Sequence, residues 1–221
     1  MNRIYFILAF MLIGSFSLAQ DSNLDSLYSV LAISKNDTNK VNNMLEISKQ
    51  LSSSDPAGAI SIAEQASKLA QSLNFKKGIA YALKNIGVGH YISTNYSEAL
   101  GYWEDSKAIF EELDEKVSVS NLLSNMGAIY FNKGEYTKAV ELYNKSIELA
   151  EEFRDTSRIA TVLVNMGAVH IENNNLSLAL ESYQRALHLF ELINYQSGIG
   201  ISAMNLGGIY ERKKDFDTAE K

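Results

Sequence analysis

The segment Asn125-Met126-Gly127-Ala128-Ile129-Tyr130 decides the fold, because closely similar hexapeptides stand at the same phase elsewhere in the chain. They begin at Asn85, Asn165 and Asn205, so that neighbouring copies are 40 residues apart. A fixed spacing held over four copies is the signature of an internal repeat. The sequence therefore predicts a stack of similar units, each built around one copy of this hexapeptide.

Composition and charge narrow the fold and the possible partners. The 221 residues include one Pro and no Cys, and the formal net charge is -6. Scarce proline favours long uninterrupted helices, and the lack of Cys excludes disulfides, zinc-thiolate sites and thiol nucleophiles. An acidic chain lacks the basic surface that nucleic acids require, so we predict no nucleic-acid binding by this segment.

The first residues resemble an export signal. Arg3 precedes an apolar run over residues 4–16, and Ser17-Leu18-Ala19 places small residues where a signal peptidase reads them. We predict a signal peptide over residues 1–19 that is cleaved before Gln20. The alternative is an uncleaved membrane anchor, for which the run is short against the roughly 18 residues that a span needs.

The repeat spacing divides the rest of the chain. Residues 20–37 carry apolar residues at helical spacing and are predicted to form a capping helix. A solenoid is predicted over 38–221, with units at about 38–77, 78–117, 118–157 and 158–197 and a truncated unit over 198–221. The first unit is degenerate, because Leu45 and Ile47 replace the Asn and the Gly of the hexapeptide. The second helices of the later units are predicted to open at capping side chains, namely Ser97, Thr137, Ser177 and Asp217.

The glycine of the hexapeptide needs a physical reason, since Gly inside a helix costs about 1 kcal/mol relative to Ala. An alanine recurs at 59, 99, 139, 179 and 219, and an aromatic residue stands four positions later at Trp103, Tyr143 and Tyr183. We expect each glycine to pack against the alanine where the two helices of a unit approach closely. The aromatic ring is then expected to fill the wider gap one turn further along.

This order of residues resembles the tetratricopeptide repeat. The pattern is Leu-x-x-Ile/Met-Gly-x-x-His/Tyr, then Ala, then Trp/Tyr, then Ser/Ala. The standard unit of that family has about 34 residues, and units of 40 residues resemble its extended branch in kinesin light chains and many bacterial regulators. The resemblance implies an all-α, right-handed solenoid of stacked antiparallel helix pairs.

The resemblance also implies a concave groove lined by one face of the first helices, which binds a protein or an extended peptide. An Asn side chain offers a donor and an acceptor and so matches one peptide group. Helices stack about 8–10 Å apart and an extended chain advances about 3.3–3.6 Å per residue, so one Asn per unit could hold every third amide. The alternative is that these Asn side chains only fix the stacking of neighbouring helices. The predicted groove residues are Asn85, Asn125, Asn165, Asn205, Tyr81, Lys84, Tyr91, Asn121, Ser124 and Phe131.

The remaining polar residues do not suggest catalysis. Lys84 adds positive charge to the predicted groove, with Arg212 further on. Several basic residues would be needed to clamp a terminal carboxylate, so an apolar or mildly basic peptide fits better. His90 and His170 fall on the inner face and are predicted to be core residues. No catalytic motif, metal site or cofactor site is predicted, and this segment is not expected to be an enzyme.

Signal peptide, degenerate first unit and 40-residue repeats together resemble the N-terminal sensor regions of bacterial histidine kinases and related regulators. That resemblance implies an exported sensor or adaptor region, periplasmic or tethered to the membrane on its periplasmic side. It also implies a missing C-terminal part with a transmembrane helix and an output domain, so that membrane attachment arises only from the missing segment. The alternative is a stand-alone exported scaffold for envelope protein assembly.

Overall fold

A computed structural model describes residues 24–219, with side chains described over 24–212. The predicted signal peptide lies outside the described residues. Ten helices and no strands are present in the described part of the chain. Their bounds are α1 (24–33), α2 (Thr38–Leu51), α3 (Pro56–Ser72), α4 (Lys76–Ile92), α5 (Tyr96–Glu112), α6 (Lys116–Asn132), α7 (Tyr136–Glu152), α8 (Thr156–Glu172), α9 (Leu176–Leu192) and α10 (Gln196–Ala219).

The helices form two compact units that divide within α5, one ending at Ile109 and one beginning at Phe110. In unit 1, α2 packs on α3, α3 on α4, and α2 also on α4. In unit 2 each of α6 to α9 packs on the helix that follows it, and α8 also contacts α6 and α10. The all-α repeat solenoid is therefore confirmed. We refer to α2–α3, α4–α5, α6–α7 and α8–α9 as the first to fourth repeats.

The turns between helices repeat every 20 residues rather than every 40. From α3 onward each helix that ends in a turn has 17 residues, and the turn contains one left-handed residue. At the α4–α5 turn this residue is Thr94, with φ 60°. The Asn95 N–H donates to the His90 carbonyl at 2.9 Å and the Thr94 N–H donates to the Tyr91 carbonyl at 3.0 Å. These two bonds form a Schellman motif that satisfies carbonyls at the helix end. The left-handed residues are Asn74, Thr94, Asp114, Gly134, Arg154, Asn174 and Asn194.

The predicted capping residues at the second helices are wrong by two positions. α5, α7 and α9 start at residues 96, 136 and 176, so Ser97, Thr137 and Ser177 are second residues of their helices. The cap position falls earlier because the helix resumes directly after the Schellman turn. At α9 the cap is Asn175, whose Oδ1 accepts from the Leu178 N–H at 3.3 Å. Asp217 does not open a new helix either, since α10 continues to Ala219.

The repeated glycines accommodate aromatic rings, so the expected pairing of glycine with alanine is wrong. A Cβ atom built on Gly127 would lie 2.7 Å from the Tyr143 ring, and the three nearest atoms all belong to that ring. The same holds for Gly87 against Trp103 at 2.3 Å and for Gly167 against Tyr183 at 2.6 Å. A real side chain cannot approach that closely, so glycine is required wherever the ring of the second helix covers the first.

The first repeat fills the same positions in the opposite way. Ile47 stands at the glycine position and Ala63 at the aromatic position, and both are fully buried. The large side chain is therefore on the first helix of this repeat and the small one on the second. The total volume between the helices is kept roughly similar, which is what close-packed interiors require.

Buried serines join the helices of a repeat at their closest crossing. The Ser106 hydroxyl donates to the Ala80 carbonyl at 2.8 Å. In the third repeat Ser120 and Ser146 each donate to the carbonyl of the other, at 2.9 and 2.8 Å. All three serines are 0% exposed. Small side chains thus set the distance between the helices and satisfy their own hydroxyls with backbone carbonyls.

Candidate functional site

Surface cavities open along the first helices of the repeats, and three of them carry members of the Asn column. The Asn column consists of Asn85, Asn125, Asn165 and Asn205, one per first helix from α4 onward. Every 40 residues correspond to about eleven helical turns of two helices plus two turns between them, so the column keeps one face. All four side chains are partly buried.

The cavity in unit 1 has a volume of about 310 Å³ and is lined by α2 and α4. Within it the Asn85 amide donates to the Leu45 carbonyl at 2.9 Å and so ties α4 to α2. The Lys84 ammonium lies 5.7 Å from the centre of the Tyr81 ring. At this rung the alternative in which Asn fixes helix stacking therefore holds. The lining residues are Asn42, Leu45, Glu46, Lys49, Tyr81, Lys84 and Asn85.

The second cavity, which we call the polar cavity, lies between α6 and α8 in unit 2 and has a volume of about 490 Å³. Within the described residues of unit 2, the Asn125 and Asn165 side chains form no hydrogen bond, in contrast to Asn85 in unit 1. Their donors and acceptors are available at the cavity wall. The lining residues are Asn121, Ser124, Asn125, Asp155, Ser157, Arg158, Thr161, Val162 and Asn165.

An ion pair at the start of α8 forms part of this wall. Asp155 caps the helix, since its Oδ1 accepts from the Arg158 N–H at 3.0 Å. Its Oδ2 accepts from Arg158 Nε, also at 3.0 Å, and both side chains are largely shielded from solvent. Charged groups held by several bonds are better oriented than isolated ones. The carboxylate thus fixes the guanidinium at the cavity wall and neutralises it.

The third cavity, which we call the apolar cavity, has a volume of about 190 Å³ and lies among α8, α9 and α10. Apolar atoms dominate its wall, and Glu172 and Arg212 contribute opposite charges. Burial raises the pKa of the Tyr183 hydroxyl above its ordinary value, so this ring stays neutral. The lining residues are Ala168, Ile171, Glu172, Tyr183, Met204, Asn205, Gly208, Ile209 and Arg212.

Most of the residues predicted from the sequence line one of these cavities, and two do not. Tyr91 packs on Trp103, with ring centres 5.7 Å apart, and Phe131 packs on Tyr136 at 6.1 Å. Both stand at the end of a first helix, where a long ring reaches over the start of the second helix. The residues that do line cavities are Tyr81, Lys84 and Asn85 in unit 1 and Asn121, Ser124, Asn125, Asn165 and Asn205 in unit 2.

Two residues of the polar cavity escaped the sequence analysis, namely Asp155 and Arg158. A signal for them was present, because Asp followed three positions later by Arg at a helix start places a capping carboxylate beside a cation. Neither residue recurs at 40-residue spacing: Ser118 and Gly78 stand at the positions equivalent to Arg158. An analysis based on recurring columns therefore overlooked both.

The histidines lie apart from these cavities. His90 stacks on Tyr102, with ring centres 5.3 Å apart and an angle of 9° between the planes. His170 is buried, and burial lowers its pKa, while the charge of Glu181 acts in the opposite direction. No cluster of three or more metal-binding side chains occurs within the described residues. Among the helices described, none combines the length and apolarity needed to cross a bilayer.

Comparison with known families confirms the tetratricopeptide resemblance. Residues 118–192 match the family model described as Tetratricopeptide repeat, which places the match on the third and fourth repeats. No curated protein sequence matches the chain. The matched residues include the polar cavity, so this cavity is built on tetratricopeptide repeats.

Solved structures share the fold at low sequence identity. BtubC (BKLC) from P. vanneervenii is 16% identical with a TM-score of 0.73, and the match covers 92% of this chain and 85% of that one. Aspartyl phosphate phosphatase F from Bacillus subtilis is 14% identical with a TM-score of 0.75, covering 91% of this chain and 58% of that one. A Rap protein complexed with Competence and Sporulation Factor is 22% identical with a TM-score of 0.56, covering 89% and 58%. The chain thus spans little more than half the length of two of these three proteins.

Proposed function

We propose that this chain is a protein-binding repeat module that holds an extended peptide segment against the first helices of unit 2. The observation that carries the proposal is the polar cavity, where the Asn125 and Asn165 amides line about 490 Å³ of open space without a hydrogen-bond partner in the described part of unit 2. A peptide backbone supplies the acceptor and donor that each amide needs.

The geometry of the repeats favours an extended ligand over a compact one. Asn125 on α6 and Asn165 on α8 are separated by one step between stacked helices, about 8–10 Å. At about 3.3–3.6 Å per residue this step equals roughly three residues of an extended chain. Two rungs can therefore bind two amides of one strand, with Ser124 and Thr161 beside them.

The comparisons support binding of this kind. One structure of the same fold is named as a Rap protein in complex with Competence and Sporulation Factor. The fold alone does not carry function from one protein to another, so the argument depends on the unpaired amides. A binding scaffold without catalysis is the simplest role for a cavity whose charged side chains pair with each other.

The proposed place of action is outside the cytoplasm, as the sensor or adaptor region of a larger bacterial signalling protein. Support comes from the N-terminal sequence, in which a basic residue, an apolar run and small residues occur in the order of a signal peptide. Fusing residues 1–30 to a reporter that is active only after export tests this location. An inactive reporter would contradict it.

The binding proposal is tested with the double variant Asn125→Ala, Asn165→Ala. Peptides are first selected from a random phage-displayed library on the purified chain, and their Kd values are then measured for the wild type and the variant. Each lost hydrogen bond is worth about 1 kcal/mol, so loss of two or more predicts a Kd about 30- to 100-fold higher. Helicity by circular dichroism should not change.

Asn144→Ala is the matched control, since Asn144 lies exposed on α7 and lines none of the three cavities. It should bind the selected peptides as the wild type does. Equal binding by the double variant would remove the polar cavity as the binding site. Loss of helicity in the double variant would instead assign these Asn side chains to helix stacking.

A further inference from the structure

The two cavities of unit 2 differ in chemistry, and this difference specifies the ligand. We infer that unit 2 selects a peptide with an uncharged polar stretch and one large apolar side chain about five residues away from its centre. The polar stretch occupies the polar cavity and the apolar side chain occupies the apolar cavity. This inference rests on the proposed function and adds the sequence that the groove would read.

The polar cavity offers hydrogen bonds but no net charge. Its wall carries amides and hydroxyls, and the two charged side chains cancel each other. Asp155 spends both carboxylate oxygens on Arg158, through the backbone N–H and through Nε. A charged ligand side chain would lose its hydration here without gaining an unpaired opposite charge, which is unfavourable. Serine, threonine, asparagine, glutamine and glycine suit this wall, which replaces the apolar or mildly basic peptide expected from the sequence.

The apolar cavity has the size of one side chain. Its volume is about 190 Å³, and a cavity of ~150 Å³ lined by aliphatic and aromatic residues is large enough to bind benzene. Ile171, Met204 and Ile209 supply apolar wall together with the Tyr183 ring. Met204 is 70% exposed, so a bound side chain would cover apolar surface that now faces water. A leucine, methionine or phenylalanine of the ligand fits this description.

The helix α8 lines both cavities and fixes the distance between them. It contributes residues between 155 and 165 to the polar cavity and between 168 and 172 to the apolar one. The centres of these two sets are about ten residues apart, which is about 15 Å along a helix. The second cavity also lies one stacked helix further on, about 8–10 Å. The resulting diagonal is about 17 Å, or about five residues of an extended peptide.

The test uses the same phage selection on the wild-type chain, followed by synthetic peptides. The selected sequences should share an uncharged polar stretch with an apolar residue about five positions from its centre. Moving that residue to a separation of two or nine positions, or changing it to alanine, should raise the Kd roughly 10- to 100-fold, the cost of exposing one large apolar side chain. Met204→Glu should remove the preference at the apolar position and leave the polar stretch selected.

Several outcomes would overturn the inference. Selection of charged stretches, an affinity independent of the separation, or an unchanged apolar preference in Met204→Glu would each do so. If such peptides still lost binding to the Asn125→Ala, Asn165→Ala variant, the proposed function would stand without the two-part ligand. If no peptide were enriched on the wild type, the proposed function would fall together with the inference.

Discussion

The first repeat and the third repeat use the same phase for opposite side chains. In α2–α3 the bulky residue Ile47 is on the first helix and Ala63 faces it in sequence register on the second. In α6–α7 the first helix has Gly127 and the second has Tyr143, whose ring lies where a Cβ atom would be. The difference shows that a repeat specifies the volume between its helices rather than the residue at either position.

The two repeats also differ at the Asn column. The first repeat has Leu45, and its carbonyl accepts the Asn85 amide from the second repeat. The third repeat has Asn125, which lines the polar cavity together with Asn165. The same residue type thus stabilises stacking in unit 1 and faces open space in unit 2. Predictions that exchange features between the repeats test both parts of this comparison.

The largest effect is expected from giving the third repeat the bulky residue of the first. Gly127→Ile forces a branched side chain against the Tyr143 ring and should lower the free energy of unfolding by ~3 kcal/mol, the upper range for overpacking. Adding Tyr143→Ala recreates the pair found in the first repeat. The double variant should therefore be destabilised by less than the sum of the single variants, with a coupling of about 1–3 kcal/mol. Urea unfolding followed by circular dichroism measures all three.

Gly101→Ile provides the control for this cycle. Gly101 also lies inside a helix, but a Cβ there would meet nothing within 4 Å. Isoleucine should be tolerated at this position and should stabilise the helix by a few tenths of a kcal/mol, because its helix propensity exceeds that of glycine. Additive effects of Gly127→Ile and Tyr143→Ala would show that the two positions do not share one volume.

An intermediate effect is expected from removing single members of the Asn column. Asn85→Ala deletes the bond to the Leu45 carbonyl and should lower the free energy of unfolding by ~1 kcal/mol. Asn165→Ala deletes no bond within the described part of unit 2, so its effect should stay within about 0.5 kcal/mol, as for ordinary surface changes. Urea midpoints of the two variants give the comparison directly. Equal losses would mean that Asn165 also serves helix stacking.

The sequence predicted the repeat, the helices and the face that carries the Asn column, because these depend on spacing alone. It did not predict which columns touch. Ala139 and Tyr143 lie one turn apart on the same helix, and spacing cannot decide which of them meets Gly127. Only the position of the ring in three dimensions answers this. The different roles of Asn85 and Asn165 were hidden for the same reason.

The 20-residue period of the turns was hidden by residue type. A left-handed turn residue is usually glycine, and only Gly134 follows that rule among the seven left-handed turn positions of the described chain. Asn and Asp tolerate this conformation at moderate cost, whereas the β-branched Thr94 is an outlier. Because the side chains vary from turn to turn, no residue column marks them. The backbone repeats where the sequence does not.

The smallest effect is expected at the column three residues after the glycine, where the first repeat has Gln50, the third has Tyr130 and the fourth has His170. Burial lowers the pKa of His170, against a weaker opposing effect of Glu181. Its unfolded pKa is about 6.5, so on acidification the unfolded state binds the proton first. The neutral side chain therefore contributes stability that is present above about pH 6.5 and is lost as the pH falls through the lower folded value. His170→Tyr, which copies the third repeat, should remove this loss, so that the urea midpoint of the variant falls less between pH 7.5 and 5 than that of the wild type. Parallel pH profiles would show that His170 is solvated as well in the folded chain as in the unfolded one.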